Sequence, residues 1–472
     1  MRIRKLMPIV ALVGLSGCAA FTPDRGMNLV SDVSGHALNK EVVALRTPDA
    51  QAYAAERVDS LLRRVLSANA AVQIALLNNR GLQAAYNELG LAEAERIRAS
   101  IPPNPTFTVE RMSGAAEIEV EKRVVANILA LATLPLRADI ATDRFHQAQL
   151  RAAEETLRVA ADTRRTYFRA VAQRELTGLL GQSKIAAETA VKLARRLGET
   201  GGMNKLDQAR EQVFYAELTA RFATARQQST TERERLTRLM GVWGSATAFK
   251  LPDRLPGMPR RPLARSMIEA EAVARRVDLQ MARIEVSALA KTYGLTNATR
   301  FINLLEVSGI RQTTRERETG ERSRNRGFEL ELQVPIFDGG EVRMRQASEG
   351  YAQAVNKLID RAVQVRSQAR EAYLTYRSTY DIAAHYQREV IPLRKIISDE
   401  TTLRYNAMLI DVFALLLEAR QRIDALVAAI EARRNFWLAD VDLTTAVVGG
   451  GVAGGSTETA AASASSPEQG GH

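Results

Sequence analysis

The stretch FELELQVPIFDGG, residues 328–340, changes periodicity halfway along its length. Phe328, Leu330, Leu332 and Val334 fall on one face of an extended chain, with Glu329, Glu331 and Gln333 on the other. This is the period-2 pattern of a strand that is apolar on one side and polar on the other. Pro335 removes a ladder donor, and Asp338, Gly339 and Gly340 then form a turn where glycine supplies the backbone freedom for a sharp bend. Beyond Gly340 the spacing is helical. Pro335, Asp338, Gly339 and Gly340 thus have a structural role, a strand turning into a helix, and no ligand. A soluble sandwich strand would alternate in the same way, so the rest of the chain must decide what kind of strand this is.

The same order of elements occurs twice. "VAADTRRTYFRAVA" (159–172) follows a Leu134-Pro135 break, and "VRSQAREAYLTYRS" (365–378) follows Val334-Pro335, a repeat of roughly 206 residues. The period far exceeds that of solenoid units, so it marks a duplicated domain. Each half begins with a helix, about 68–100 and 265–297. Two extended segments follow, "PTFTVERMSG" and "AEIEVEKRVV" in the first half, "RFINLLEVSGI" and "GFELELQVPIF" in the second. Next come a very long helix (about 137–198 and 340–403), a break, and a returning helix that closes on Gly241 or Gly449. Leu206, Ala209, Val213, Ala216, Ala220 and Ala223 recur at steps of three and four, as do Leu416, Ala419, Ile423, Leu426 and Ile430. These are the seams expected of antiparallel coiled-coil hairpins. A helix of roughly 60 residues is about 90 Å long and cannot fold back into a compact core.

The N-terminus bears on the compartment. Arg2, Arg4 and Lys5 precede an apolar stretch of about ten residues, too short to cross a bilayer and typical of a secretory signal. Leu15-Ser16-Gly17-Cys18 resembles a bacterial lipobox, which predicts lipidation and cleavage at Cys18. Ala19, rather than Asp, implies by the same resemblance delivery to the outer membrane. Cys18 is the only cysteine of the 472 residues, so its acylation leaves no thiol for a disulfide, a metal site or a nucleophile. The formal charge of +11 falls to +8 once Arg2, Arg4 and Lys5 leave with the signal. Export, and the interleaving of Lys and Arg with Glu and Asp, argue against nucleic-acid binding. No stretch approaches a transmembrane helix, so a membrane span must come from strands.

Four strands cannot close a membrane barrel, whose smallest form has about 8, and open edges cannot stay in lipid. Several copies must share one barrel, and three copies would supply twelve strands. The chain resembles the TolC-like outer-membrane efflux family over about 55–449, through "ALLNNRGLQAAYNELGLAEA" (75–94), "LQVPIFDGGEVRMRQA" (332–347) and "RYNAMLIDVFALLLEAR" (404–420). The resemblance implies a mainly α fold with a small β part. Long antiparallel coiled-coil hairpins would build a periplasmic tunnel, and four strands per chain a shared trimeric barrel. It further implies a homotrimer acting with a periplasmic adaptor and an inner-membrane pump, as a passive duct without cofactor. The division predicted is a signal peptide 1–17, a lipidated extended segment 18–54, a first repeat 55–250, a linker 251–264, a second repeat 265–449 and a disordered tail 450–472.

By that resemblance the hairpin tips dock the adaptor. The candidates are Arg196, Leu197, Gly202 and Asp207 in the first half, and Arg404, Tyr405, Asn406, Met408 and Asp411 in the second. Some members of the family close the tunnel with aspartates on the helix after the second tip. The matching positions here are Ala414 and Leu417, with Asp411 and Glu418 nearby but out of register, so an aspartate gate does not transfer. His36, His146, His385 and His472 lie far apart and form no metal-ligand spacing. Trp437, beside Phe436, is expected to pack a helix face. The competing reading is a periplasmic coiled-coil spacer lipoprotein without a pore.

Overall fold

The computed structural model describes residues 21–265 and 267–451. Cys18, Ala19, the signal peptide and His472 lie outside the described residues, as does the tail beyond Gly451. Ten principal helices and four strands carry the fold. In the first half these are α1 (Pro48–Leu62), α2 (Ala68–Asn78), α3 (Arg80–Ser100), β1 (Thr106–Ser113), β2 (Glu117–Asn127), α4 (Leu134–Glu199) and α5 (Lys205–Met240). The second half has α6 (Ile268–Arg275), α7 (Val277–Ala298), β3 (Leu304–Glu316), β4 (Arg322–Gln333), α8 (Glu341–His385), α9 (Ile391–Asn406) and α10 (Val412–Val448).

The chain divides into two compact units, each drawing on both halves of the repeat. One comprises residues 21–29, Tyr86–Ala152 and Asp278–Ala362. It holds a four-stranded antiparallel sheet in the order β1-β2-β3-β4. Register is continuous across it: Phe107 faces Val124, Val124 faces Gly309, and Gly309 faces Phe328. The strands sit where the alternation puts them, with shifted ends. β3 begins at Leu304 rather than near 300, because Thr299 to Asn303 turn back at the end of α7, and Pro335 leaves β4 ending at Gln333.

The other unit comprises Val30–Ala85, Ala153–Val277 and residues 363–451. Two of its buried clusters adjoin at Trp437. One joins Ile74, Leu77, Tyr167, Phe168, Leu236 and Met240, and the other Tyr376, Tyr380, Phe436, Leu443 and Val447. Trp437 bridges them. Its ring stacks on Phe168 with centroids 5.1 Å apart and meets Phe436 edge-on at 5.1 Å, while its indole N–H donates to the Pro256 carbonyl. The Tyr167 hydroxyl donates to the buried Leu66 carbonyl at 3.0 Å, and burial pushes its pKa up to about 12. A phenol with a raised folded-state pKa adds stability below its ordinary pKa of about 10, and that stability is lost as pH climbs towards 12. Tyr167→Phe should therefore melt lower at pH 8, by about 1 kcal/mol, and lose less between pH 10 and 12. Parallel declines of the two proteins on the alkaline side would overturn this assignment.

Three expected helices are broken. The helix expected over 68–100 ends at Asn78 and restarts at Arg80, because Asn79 is extended (ψ 113°). Its side chain accepts from the Leu82 N–H, starting α3, and donates to the Leu239 carbonyl at the end of α5. Asn78 donates in turn to Met240 and Gly241. The second half repeats the break at Arg276, extended at ψ 122°. The helix expected over 340–403 contains a π turn, Tyr386–Val390. Pro392 explains it: proline has no N–H and its ring would clash with the carbonyl four residues back, so the helix widens there. A π turn holds one more residue than an α turn. Accordingly Val159 and Val365 are 206 apart, whereas the tip residues Gly201 and Met408, beyond the turn, are 207 apart.

The α5 seam is also corrected. Leu206 and Val213 are exposed, and the buried stripe is Glu211, Leu218 and Ala225, one heptad apart. Small alanines suggest a close-packed seam, whereas a buried glutamate holds a seam position. On α10, Ile423 and Ile430 pack inward but Ala419 is exposed.

Candidate functional site

Two sites emerge: the hairpin tips of one unit and the two faces of the sheet in the other.

At the first tip α4 ends at Glu199. The Gly202 N–H donates to the Leu197 carbonyl at 2.7 Å, and the Gly201 N–H to the Gly198 carbonyl at 3.2 Å. This pair of bonds closes a Schellman motif, which needs a left-handed residue between them. Gly201 takes that conformation at φ +77°. Asn204 then caps α5, its side-chain oxygen accepting from the Asp207 N–H at 2.9 Å. The second tip is built in the same way. The Leu409 N–H donates to the Arg404 carbonyl (2.9 Å), the Met408 N–H to the Tyr405 carbonyl (3.0 Å), and Asp411 caps α10 through the Ala414 N–H (2.8 Å). Here the left-handed residue is Met408, at φ +58°. An L side chain in that conformation costs about 1–2 kcal/mol. Met408 is 92% exposed and Leu409 74%, so among the described residues little packing offsets that strain.

The structure brings the two tips side by side. Asp207 pairs with Arg210 at 3.0 Å, and the Arg210 guanidinium lies over the Phe413 ring of α10. Arg196 contributes a backbone acceptor, Arg404 makes an exposed pair with Glu400, and Asn406 is the last residue of α9. Behind the tips α10 is tied to both neighbours. Arg420 pairs with buried Glu211 of α5 and stacks on Phe214, while Glu418 is buried and bonded to Arg394 of α9 at 3.2 Å. Burial pushes the Glu211 carboxyl up and Arg420 draws it back. Sequence reading missed both pairs, since nothing in a sequence marks a helix charge as inward. His385 lies 3.1 Å from Glu389, one helical turn away.

At the strand-to-helix turn the Pro335 carbonyl accepts from the Gly339 N–H at 2.9 Å, and Asp338 accepts from the Gly340 N–H at 3.1 Å. Arg300 donates to the Gly339 carbonyl at 2.9 Å and pairs with Glu341 at 3.0 Å.

The sheet has two chemically distinct faces. Register and alternation put Glu110, Glu119, Glu121, Glu306, Glu329 and Glu331 on one, together with a single cation, Arg123. Arg123 is neutralised there by Glu121 (3.1 Å) and Glu329 (3.3 Å). The opposite face carries Phe107, Val124, Val307, Phe328, Leu330 and Leu332 as a band, Phe328 being 85% exposed. β1 and β4 each pair on one side only. Among the described residues no helix is long and apolar enough to cross a membrane, and no three His, Cys, Asp or Glu side chains cluster as metal ligands.

The fold is similar to that of solved outer-membrane channels. The Campylobacter jejuni CmeC outer-membrane channel matches with a TM-score of 0.69 at 15% identity, over 81% of this chain and 86% of that one. The outer-membrane channel OprN matches at 0.67 and 16% identity, over 93% and 98%. The fold is TolC-like. The Neisseria gonorrhoeae MtrE channel, in its open state, matches at 0.66 and 14% identity, over 80% of this chain and 88% of its own. No family model and no curated protein sequence matches the chain.

Proposed function

We propose that this chain is the outer-membrane exit duct of an export system. The observation that carries the reading is the two-sided sheet: an exposed apolar band on one face, an acidic face on the other, and unpaired edges at β1 and β4. In water such a sheet is an aggregation hazard. In a barrel shared by three copies the edges pair with each other, the apolar band meets lipid, and the glutamates line the aqueous side. A pore-less spacer would leave both edges and the band in water. The TolC-like neighbours are outer-membrane channels, which supports the membrane assignment. In the full proposal Cys18 is lipidated, the hairpins build a periplasmic tunnel, the tips meet an adaptor fed by an inner-membrane pump, and cargo passes passively.

Purified protein in mild detergent should run as a trimer by mass, and in planar bilayers it should conduct with cations preferred over anions, since carboxylates line the lumen. Cys18→Ser should lose its lipid yet stay in the membrane fraction, because one lipid attachment anchors only weakly compared with a barrel. A monomer without conductance, or a Cys18→Ser protein free in the periplasm, would overturn the duct.

A further inference from the structure

The apolar band does not continue to the hairpin ends of the sheet. The next row on the same face is Val109, Lys122, Arg311 and Arg326, adjacent on four strands. Beyond it come Arg111, Val120, Thr313 and Arg324, then Ser113, Ile118, Arg315 and Arg322. All the cations are exposed, and none makes an ion pair among the described residues. No strand residue on this face is acidic. The glutamates of the same four strands all project from the other face.

That segregation has an energetic cost. Lys122, Arg311 and Arg326 stand directly opposite one another, as do Arg315 and Arg322, and like charges in such cross-strand positions destabilise a sheet. Neighbouring strands are about 4.8 Å apart and alternate rows about 6.7 Å, so the belt covers roughly 13 Å along the strands. A one-residue shift of β2 against β3 would set Glu121 opposite Arg311 and Glu117 opposite Arg315. An anion from outside the chain would relieve that repulsion at the border of the apolar band.

We infer that this belt binds the phosphate-bearing headgroups of membrane lipid in the leaflet reached by the hairpin ends. The inference rests on the proposed duct, in which the band meets lipid. Three adjacent cations in one row, with more a row away, suit a headgroup carrying more than one phosphate better than a single phosphodiester. Arg guanidinium forks match phosphate oxygens two at a time. Phe107 and Phe328, one row towards the apolar band, mark the depth at which acyl chains begin.

The test uses the full-length protein purified in neutral detergent. Its probes are diphosphoryl lipid A, monophosphoryl lipid A, phosphatidylcholine and inorganic phosphate. The variants are Arg311→Gln/Arg324→Gln/Arg326→Gln and, on the acidic face, Arg123→Gln. Diphosphoryl lipid A should bind wild type most tightly, monophosphoryl lipid A less tightly, and phosphatidylcholine and free phosphate marginally. Removing three surface cations should weaken diphosphoryl lipid A binding on the order of a hundredfold, and Arg123→Gln should leave it unchanged. Binding to wild type should also fall with salt, a measurement that stands even if the triple variant fails to fold. Equal binding by wild type and a folded triple variant would overturn the belt, as would salt-independent binding, or free phosphate binding as well as the lipid. If the triple variant still forms conducting trimers while binding lipid normally, the belt alone fails. If wild type forms no membrane-inserted oligomer, the duct fails and the belt with it.

Discussion

Gly340→Ala should abolish accumulation of the folded protein, whereas Gly339→Ala should be tolerated. Both glycines are left-handed, at φ +74° and +56°. Either alanine would carry the backbone penalty of about 1–2 kcal/mol. The difference is in what surrounds them. A Cβ on Gly339 would meet open space, while one on Gly340 would collide with the Arg300 carbonyl oxygen and lie 3.1 Å from its carbonyl carbon. That backbone cannot move aside, because the Arg300 side chain holds Gly339 and Glu341. β4 and α8 would enter and leave the turn at the wrong angle, at the junction of the sheet with its long helix. The loss should be about 3 kcal/mol or more, in the range of the largest single-residue effects. Steady-state levels in cells and thermal melting of the purified protein measure it. Equal levels of the two variants would show that the Arg300 contact yields and that glycine serves backbone freedom alone.

Periodicity made much of this fold legible. FELELQV alternates without exception, and β4 covers it except for Val334, which the following Pro335 excludes from the ladder. Long helices were legible for the same reason, since an apolar recurrence survives small irregularities. The irregularities themselves were hidden. Asn79 breaks a helix because it caps one and ends another, a role decided by the carbonyls of Leu239 to Gly241, distant in sequence. The α5 seam was misassigned because burial of Glu211 depends on Arg420, 209 residues away. The basic belt did have a local signal. "RSRNRGFELELQ" alternates charge as regularly as FELELQV alternates hydrophobicity, so the cations of β4 must share a face with its apolar residues. The second tip offered less. Gly201 announces a left-handed position, but Met408 in "RYNAMLID" does not, and only the 207-residue offset after the π turn brings the two into register.

Met408→Gly should leave the protein at least as stable as wild type and yet impair export. The two tips share one backbone plan, and Gly201 shows how it is made without strain. Met408 spends about 1–2 kcal/mol in that conformation to hold an apolar side chain out in solvent beside Leu409. Strain of this kind is kept where surrounding structure or function requires it, and Met408 is 92% exposed among the described residues. On the proposed reading the adaptor covers it. Methionine is enriched at such contacts, and a central interface residue can contribute about 2 kcal/mol or more, roughly a thirtyfold change in affinity. Glycine relieves the strain, offset in part by its freer unfolded chain, and deletes the contact. Arg404→Ala/Tyr405→Ala should likewise leave the melt nearly unchanged, because the bonds that close the turn use the carbonyls of those residues and not their side chains. The measurement pairs thermal melting of the purified oligomer with in-cell crosslinking to the adaptor and an export assay. A destabilised Met408→Gly protein would show that the side chain supports the fold. Normal crosslinking and export in both variants would place the docking surface elsewhere, with the first tip, Gly202 to Asp207, the next to test.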